Sequence, residues 1–379
     1  MLPVAAQPSW FDRWYEWRDH LLASTRFRRW AAAFPLTRPI ARRRARRLFD
    51  LCAGFVYSQI LLACVRLRLF DALLEGPKTL TELSQRLALC TDSTARLLGA
   101  ARSLGLVTPR SGERFGLGAL GAALAGNPGV LAMIEHHAFL YQDLRDPVAL
   151  LRKNSADTEL ARLWPYASAE RPASLAADQV AAYSALMSAS QPLIAQEVLD
   201  AYPLHGHRCL LDVGGGEGAF VAAAAAGTPG LQLILFDLPA VAERARERFV
   251  QAGIAARTRA VGGDFLRDPM PEGADIVTLI RVVHDHDDRR ALALLRAAYR
   301  ALPPGGTLLV AEPLAETPGA EPVGAAYFGF YLLAMGRGQP RTFAALAELL
   351  RRAGFTQIRS APTATPLVTS VVLARRGPV

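Results

Sequence analysis

Several features are scarce in this chain of 379 residues. It has only four cysteines, Cys52, Cys64, Cys90 and Cys209, and their spacing matches no disulfide framework, zinc site or redox motif. We expect them to be buried thiols in a reducing compartment. The first residues lack the basic start and apolar run of a signal peptide, and the sequence contains no internal repeat or low-complexity tract. These absences predict a cytoplasmic globular protein.

A membrane-spanning run is also not apparent. An apolar stretch at residues 51–65 follows a basic run, but its fifteen residues are fewer than the roughly 20 that cross a bilayer. Polar and small residues, including Tyr57, Ser58 and Gln59, interrupt it. The sequence therefore predicts a buried core helix or a dimer-interface helix here.

The composition that is present favours a large folded protein. Hydrophobic residues make up 51% of the chain, and the mean hydropathy is +0.16. A chain of this length exceeds one ordinary core, so two domains are expected. The net charge of +9 is concentrated near the N-terminus, because residues 1–50 hold eleven arginines and only four acids.

The basic N-terminal segment also carries aromatic residues at helical spacing. Trp10, Trp14, Trp17 and Leu21 fall on one helical face, and five arginines follow within 42–47. Three interpretations stay open. The helix packs on a partner subunit, or it lies on an anionic membrane surface with tryptophan at the interface, or it binds nucleic acid.

The next segment has the pattern of a winged helix. Helices are predicted over 80–89 and 91–104, followed by a turn and a strand near 114–117. This fold often binds DNA through its second helix, but that helix carries only Arg96 and Arg102. We therefore expect a structural or dimerising role and no nucleic acid. Residues 127–203 are again predicted to be helical.

From residue 208 onward, strands and helices alternate, which predicts an α/β sheet. Parallel strands are expected near 208–213, 231–236, 256–261, 274–280 and 306–312. Two further strands, near 355–359 and 367–374, form a closing hairpin. Such a hairpin distinguishes methyltransferase sheets from dinucleotide-binding sheets.

A glycine-rich loop follows the first of these strands. The sequence Asp212-Val-Gly214-Gly-Gly216-Glu-Gly enters an alanine-rich helix, whose free N–H groups attract an anionic ligand. The spacing Gly214-x-Gly216-x-x-Ala219 also satisfies the dinucleotide fingerprint. Two cofactor classes therefore remain compatible with this loop.

Three acidic residues favour one of those classes. Asp212 stands two residues before the first loop glycine and suits a cofactor with a cationic amino-acid end. Asp237 ends the next strand, where it can bind a ribose diol. Asp264 follows the third strand, where it can accept from an adenine amine while Phe265 covers the ring. The set resembles the S-adenosylmethionine site of class I methyltransferases.

The expected catalytic chemistry lies just after the fourth strand. Ligands of open α/β sheets bind beyond the carboxyl ends of the strands, so His284 faces the cofactor side. Its ordinary pKa lies near neutrality, which suits a general base, and Glu312 at the end of strand five can orient the imidazole. A metal site built on His284 and His286 is the alternative, but no further ligand cluster completes it.

These motifs together resemble the winged-helix O-methyltransferases, a family that includes plant phenolic and bacterial hydroxyindole types. The matching motifs are the glycine loop, Phe-Asp-Leu-Pro-x-Val at 236–241, Gly-Gly-Asp-Phe at 262–265, His-Asp before a helix, Pro-Gly-Gly at 304–306 and Arg-Thr at 341–342. The 28-residue separation of His284 and Glu312 is similar to that between the family's catalytic histidine and its acidic partner. The N-terminal stretch resembles carotenoid hydroxyl methylases of phototrophic bacteria.

The resemblance implies a homodimeric enzyme that methylates a tertiary hydroxyl of an acyclic carotenoid, with S-adenosylmethionine as cofactor. It implies a Rossmann-like C-terminal sheet and an N-terminal winged-helix dimerisation domain. The expected segments are a basic arm (1–48), the dimerisation domain (49–126), a helical connector (127–203) and the catalytic domain (204–379). It adds Leu238 and Arg281 to the cofactor site. It places Tyr183, Met187, His137, Tyr327, Phe328, Tyr331 and Met335 in the substrate pocket.

Two positions depart from the family pattern. His286 stands where the family has tryptophan, and Phe343 stands where a second acidic partner often follows Arg-Thr. Glu312 alone would then orient His284, in a more apolar pocket. A methylase of another pigment or of a polyketide phenol remains open, as does a DNA-binding regulator that keeps a methyltransferase-like ligand domain.

Overall fold

The computed structural model describes residues 9–152, 157–164, 191–367 and 369–378. The chain divides into two compact units, Met1–Ala122 and Ala123–Val379. The expected end of the dimerisation domain, at residue 126, lies close to this boundary. The pocket residues Tyr183 and Met187 lie outside the described residues.

The first unit is mainly helical, with a small sheet. Its helices are α1 (Trp10–Ala23), α2 (Thr25–Ala33), α3 (Arg38–Arg66), α4 (Leu69–Leu74), α5 (Leu80–Leu87), α6 (Thr91–Ser103) and α7 (Ala119–Ala125), the last of which continues into the second unit. Its strands β1 (Lys78–Thr79), β2 (Val107–Arg110) and β3 (Arg114–Leu117) form a sheet in the order β1-β3-β2. The α5–α6 pair followed by the β2–β3 hairpin matches the predicted winged helix.

Local signals explain where these helices begin. Ser9 caps α1 in a capping box with Asp12, and Thr79 caps α5 in the same way with Glu82. In each case a hydroxyl accepts a backbone N–H that has no partner in the first helical turn, while the acid three residues later accepts the N–H of the capping residue.

The prediction for residues 51–65 needs a correction. The apolar stretch forms only the second half of α3, a helix of 29 residues, because the preceding basic run is helical as well. Leu51 and Phe55 are 82% and 73% exposed, and burial begins only near Leu62. The prediction of a helix buried in the core is therefore wrong for most of this stretch. By length and composition α3 could cross a membrane, but these properties do not distinguish a membrane helix from one covered by a partner.

The second unit is built on a seven-stranded mixed sheet, as predicted. Its strands are β4 (Cys209–Val213), β5 (Gln232–Asp237), β6 (Thr258–Gly262), β7 (Ile276–Ile280), β8 (Thr307–Glu312), β9 (Phe355–Ala361) and β10 (Ser370–Arg376). The strand order is β6-β5-β4-β7-β8-β10-β9. The five strands from β4 to β8 pair in parallel, whereas β10 runs antiparallel to both β8 and β9. The order reverses beside β4, so a crevice opens above the carboxyl end of that strand.

Helices follow most strands of this sheet and precede it. They are α8 (Pro128–Asp143), α9 (Pro147–Arg152), α10 (Glu159–Leu163), α11 (Ala219–Gly227), α12 (Pro239–Gln251), α13 (Asp288–Ala301), α14 (Gly329–Ala334) and α15 (Phe343–Arg352), and residues 191–201 are also helical. Two apolar clusters cover the two sheet faces. One includes Leu294 and Leu350 from α13 and α15, and the other includes Phe220 and Phe249 from α11 and α12. The rigid sheet fixes the loops at its carboxyl edge.

A separate aromatic cluster joins α8, α10 and α14. A π-helical turn, Val323–Phe328, leads directly into α14, and a turn of this kind is common at functional sites. Leu140, Leu160, Trp164 and Tyr331 form part of the buried cluster around it.

The expectation that all four cysteines are buried is only partly correct. Cys64 is buried, and burial raises the pKa of its thiol to about 11. Cys209 is half-buried, whereas Cys52 and Cys90 are exposed. Cys52 lies on the exposed part of α3, and Cys90 occupies the N-cap position of α6 at the surface, where its side chain makes no capping hydrogen bond.

Candidate functional site

The glycine loop after β4 has the backbone geometry that the sequence predicts. Gly214, Gly216 and Gly218 have φ angles of 69°, 59° and 81°, in the left-handed region that only glycine adopts without strain. The N–H of Gly214 donates to the carbonyl of Phe236 at 2.8 Å, which ties the loop to β5. A Cβ at Gly214 would lie 2.8 Å from a methyl group of Val282. The loop is thus closely packed, and it leads directly into the N-terminus of α11.

Asp237 lies at the carboxyl end of β5, beside this loop. Its two carboxylate oxygens accept the backbone N–H groups of Gly216 (2.8 Å) and Leu238 (2.7 Å). Burial raises the pKa of Asp237 to about 6, although both backbone hydrogen bonds oppose the shift. Each oxygen retains a lone pair, so the carboxylate can accept from a diol.

Asp212 occupies a different place from the one expected. It lies within β4, beneath the loop, where Oδ1 accepts from the Thr278 hydroxyl at 2.7 Å and Oδ2 is buried without a partner. A Cβ at Gly215 would clash with Oδ2, so this position must be glycine. Burial raises the pKa of Asp212 to about 7. The carboxyl group supports the loop from below and is not part of the cleft wall.

The opposite side of the cleft is formed after β6. Asp264 is 6% exposed, and its Oδ1 accepts the N–H of Leu266 at 2.9 Å. The Phe265 ring meets the His286 ring edge-on, with centroids 5.3 Å apart. His286 is thus an aromatic neighbour of Phe265, and burial lowers the pKa of its imidazole, which favours the neutral ring.

These groups line one cleft. Its lining includes every predicted cofactor residue except Asp212: Gly214, Gly216, Asp237, Leu238, Asp264, Phe265 and Arg281. Arg281 has a φ of 57°, a strained conformation for a residue with a side chain, and its N–H donates to the carbonyl of Ala311 at 2.8 Å. Within the described ranges, no cluster of histidine, cysteine, aspartate and glutamate has the arrangement of a metal site.

The predicted base and its acidic partner are in direct contact. His284 lies in a short 3₁₀ turn, Val283–Asp285, and its Nδ1–H donates to Glu312 Oε2. The other oxygen, Oε1, accepts the backbone N–H groups of Val282, Val283 and His284 at 3.1, 2.7 and 3.4 Å. Glu312 therefore fixes both the turn and the imidazole tautomer.

Asp285 is a site residue that the sequence reasoning missed. Its Oδ1 lies 3.0 Å from Nε2 of His284, the nitrogen that faces away from Glu312, and the residue lines the cleft. Burial alone would lower the pKa of His284, but the charges of Glu312 and Asp285 outweigh burial and raise the pKa to about 10. At neutral pH the imidazole is therefore a cation, with a proton on each nitrogen, and lies between two carboxylates.

Arg341 also holds the base in place. It is 5% exposed and donates to the carbonyls of Val283 (2.9 Å) and His286 (2.7 Å), on either side of His284. Its guanidinium also bonds to Asp288, the first residue of α13. The Arg-Thr motif signalled this position. Phe343, which the sequence places at the position of the second acidic partner, is the first residue of α15 and is 39% exposed.

The predicted acceptor residues that the structure describes lie together beside the base. We call Tyr327, Phe328, Tyr331 and Met335 the acceptor wall. The Phe328 ring contacts the His284 ring edge-on at 5.8 Å, and Tyr327, Phe328 and Tyr331 contact one another at 5.0–6.2 Å. His137 bonds through Nε2 to the Tyr327 hydroxyl at 2.6 Å. The wall packs with Trp164, which also lines the cleft.

Comparisons with known proteins show the family of this chain. Residues 141–356 match the O-methyltransferase domain, and residues 49–127 match the O-methyltransferase dimerisation domain. The chain is 44% identical to demethylspheroidene O-methyltransferase of Cereibacter sphaeroides, over 94% of this chain and 93% of that protein. It is 41% identical to the enzyme of the same name from Rhodobacter capsulatus, over 90% of this chain and 85% of that one.

Among solved structures, human N-acetylserotonin methyltransferase in complex with SAM is similar, with a TM-score of 0.72 and 26% identity over 88% of this chain and 97% of that one. The fold, the glycine loop and the paired histidine and glutamate define a class I methyltransferase. The chain belongs to the S-adenosylmethionine-dependent O-methyltransferase family that pairs a dimerisation domain with a catalytic domain.

Proposed function

We propose that this enzyme transfers a methyl group to the tertiary hydroxyl of an acyclic carotenoid. The observation that carries the proposal is the His284–Glu312 pair, which contacts Asp285 of the cofactor cleft and Phe328 of an aromatic wall. The two relatives above 40% identity are named for demethylspheroidene, which supports this acceptor class.

The residues of the cleft fit the proposed cofactor. The carboxylate of Asp237 would hold the ribose diol, and Asp264 and Leu238 would flank the adenine beside Phe265. The glycine loop would bind the amino-acid end, with the carboxyl group of Asp212 beneath the loop. When bound, S-adenosylmethionine supplies an electrophilic methyl group on a cationic sulfur.

The chain's own contribution is to position the acceptor and to move one proton. Glu312 keeps the proton on Nδ1, so Nε2 is the nitrogen that takes the hydroxyl proton. In the resting arrangement Asp285 lies against the protonated Nε2, so Nε2 must lose that proton to solvent and Asp285 must turn away before the acceptor hydroxyl binds there. A tertiary alcohol is a weak acid, so proton removal accompanies methyl transfer and does not precede it.

The direct test is methyl transfer from labelled S-adenosylmethionine to a panel of acceptors. We expect product with a hydroxylated acyclic carotenoid in detergent micelles and a much lower kcat/KM with simple phenols. Preferential methylation of a phenol would reject the carotenoid acceptor. A salt-dependent gel shift with DNA and no methyl transfer would favour the regulator instead.

The contact between Asp285 and His284 predicts a pH effect. In the wild type the pKa of His284 is raised, so the neutral base, and with it kcat/KM, should increase as the pH rises through the alkaline range. Asp285→Asn removes one of the two carboxylates, which should shift this rise in kcat/KM to lower pH by roughly 1–3 units. The measurement is kcat/KM against pH.

The matched control for that experiment is Asp287→Asn. Asp287 lies in the same loop but caps α13 by accepting the N–H of Arg290 at 2.8 Å, away from the imidazole. In the Asp287→Asn variant, kcat/KM should rise over the same pH range as in the wild type. An unchanged pH dependence of kcat/KM in Asp285→Asn would show that Asp285 does not control the protonation of His284.

We also propose that the first unit forms a homodimer through residues 49–126 and places residues 1–48 on a membrane surface. Trp10, Trp14 and Trp17 lie on one face of α1 and are 69%, 48% and 61% exposed, in a segment rich in arginine. Tryptophan favours the lipid interface, and each arginine near an anionic surface contributes about 1 kcal/mol. The enzyme would then be cytoplasmic and peripheral to the membrane that holds its acceptor.

The membrane proposal is tested by sedimentation with liposomes. We expect binding to phosphatidylglycerol vesicles that weakens as salt is added, is lost on deletion of residues 1–48, and is reduced by alanine at the three tryptophans. Phosphatidylcholine vesicles are the control. The truncated protein should remain dimeric on size-exclusion chromatography. Binding that ignores both salt and the deletion would contradict the membrane role.

A further inference from the structure

A pair of histidine–tyrosine hydrogen bonds connects α8 to the acceptor wall. His136 Nε2 lies 2.8 Å from the Tyr331 hydroxyl, and His137 Nε2 lies 2.6 Å from the Tyr327 hydroxyl. The two histidines are adjacent in sequence, and the two tyrosines are one helical turn apart, across the junction of the π turn and α14. The two bonds therefore connect α8 to the π turn and to α14, at positions one helical turn apart.

All four side chains are neutral in this arrangement. Burial lowers the pKa of His136 to about 4, with a smaller contribution from His137, and burial lowers the pKa of His137 as well. Burial also raises the pKa values of Tyr327 and Tyr331, that of Tyr327 to about 12. Each pair is thus a neutral hydrogen bond, and its polar atoms are bonded to each other.

The two hydrogen bonds make the acceptor wall less polar. A tyrosine hydroxyl left without a partner would bind water or attract a polar acceptor, because an unsatisfied polar group in an apolar site is costly. Here the hydroxyls point at histidines, while Tyr327 and Phe328 stay in ring contact with centroids 5.0 Å apart. Phe328 in turn touches the His284 ring. The wall beside the base is therefore apolar although it contains two tyrosines.

We infer that the His136–Tyr331 and His137–Tyr327 pairs determine acceptor specificity, by removing hydrogen-bonding groups from the acceptor wall and fixing the π turn so that Phe328 lies against His284. The inference rests on the proposed function, since it assumes that the acceptor binds along this wall. None of the four residues touches the reacting atoms in this account. They position the wall and exclude polar acceptors.

A double-mutant cycle on the more exposed pair tests the inference in the full-length enzyme. His137→Leu leaves the Tyr327 hydroxyl unpaired, so KM for a hydroxylated carotenoid should rise roughly five- to thirtyfold. Adding Tyr327→Phe removes that hydroxyl too, and the double variant should return to within about threefold of the wild-type KM, because replacing both partners by apolar groups is nearly neutral. His137→Gln, which retains a donor, should rescue most of the loss. We expect kcat and KM for S-adenosylmethionine to change by less than about twofold.

Tyr202→Phe is the matched control. Tyr202 and His207 form the same kind of bond at 2.9 Å, in the same unit but away from the wall. Its variant should leave the carotenoid KM at the wild-type value. Additive effects in the double variant, a fall in kcat as large as the rise in KM, or an equal effect of Tyr202→Phe would overturn the inference while the carotenoid activity stands. A wild-type enzyme that methylates only phenols would overturn the proposed acceptor and the apolar selectivity together.

Discussion

His284→Ala should lower kcat for methyl transfer by roughly 10²–10⁴-fold, the usual contribution of a positioned general base. The cleft that holds the cofactor is formed by other residues, so the dissociation constant for S-adenosylmethionine, measured by calorimetry, should change little. The remaining turnover would come from positioning of the acceptor against the methyl group.

Folding must be controlled in this experiment, because alanine leaves the buried carboxylate of Glu312 and the partly buried one of Asp285 without their shared partner. His284→Asn is the companion variant, since its side-chain amide can donate to Glu312 as Nδ1 does but cannot act as a base. It should be as inactive as alanine and closer to the wild type in thermal stability. His205→Ala, at an exposed histidine of the same unit, should be fully active. Near-normal turnover in His284→Asn would remove the imidazole from the mechanism.

Glu312→Gln should also be severe, with a fall in kcat of roughly 10²–10⁴-fold. The carboxylate accepts four N–H groups, three from the backbone at Oε1 and one from His284 at Oε2. Glutamine has one oxygen and one NH₂ group. If the oxygen caps the turn, the NH₂ group faces Nδ1, so the imidazole must move its proton to Nε2 and can no longer accept one there.

The opposite orientation of glutamine fails as well, because the NH₂ group would then meet three backbone donors and open the 3₁₀ turn. Stopped-flow proton release and kcat against pH would separate the two outcomes, since a wrong tautomer keeps the fold and a broken turn does not. Glu197→Gln is the control, at a glutamate that accepts one backbone N–H from Thr365 far from the base. Wild-type turnover in Glu312→Gln would contradict the orienting role.

The strands and the glycine loop were predictable because their signals are local. Apolar runs bounded by turn residues gave all seven strands of the large sheet to within a few residues, and positive φ angles occur where glycine was expected. The same local evidence failed at α3, where the periodicity of the basic run continues a helix that composition alone divided at residue 51. It also failed at Cys52 and Cys90, because burial is not a property of one residue type.

The site was predictable to the level of which residues approach the carboxyl edge of the sheet. His284, Glu312, Asp237 and Asp264 follow strand ends, and parallel topology brings such positions together. Which atom meets which was not predictable. The sequence predicts Asp212 as a cofactor ligand, and only the structure shows that this penultimate residue of β4 lies beneath Gly215 and bonds to Thr278.

The sequence by itself determined the order of the elements, the glycine turn before α11 and the pairing of the predicted base with its acidic partner, since each depends on residues near one another in the chain or at the ends of strands. Only the tertiary structure placed Asp285 on Nε2, Arg341 under the base and the two histidines of α8 on the tyrosines of the acceptor wall. These contacts join residues up to 195 positions apart, and their geometry depends on how whole helices pack.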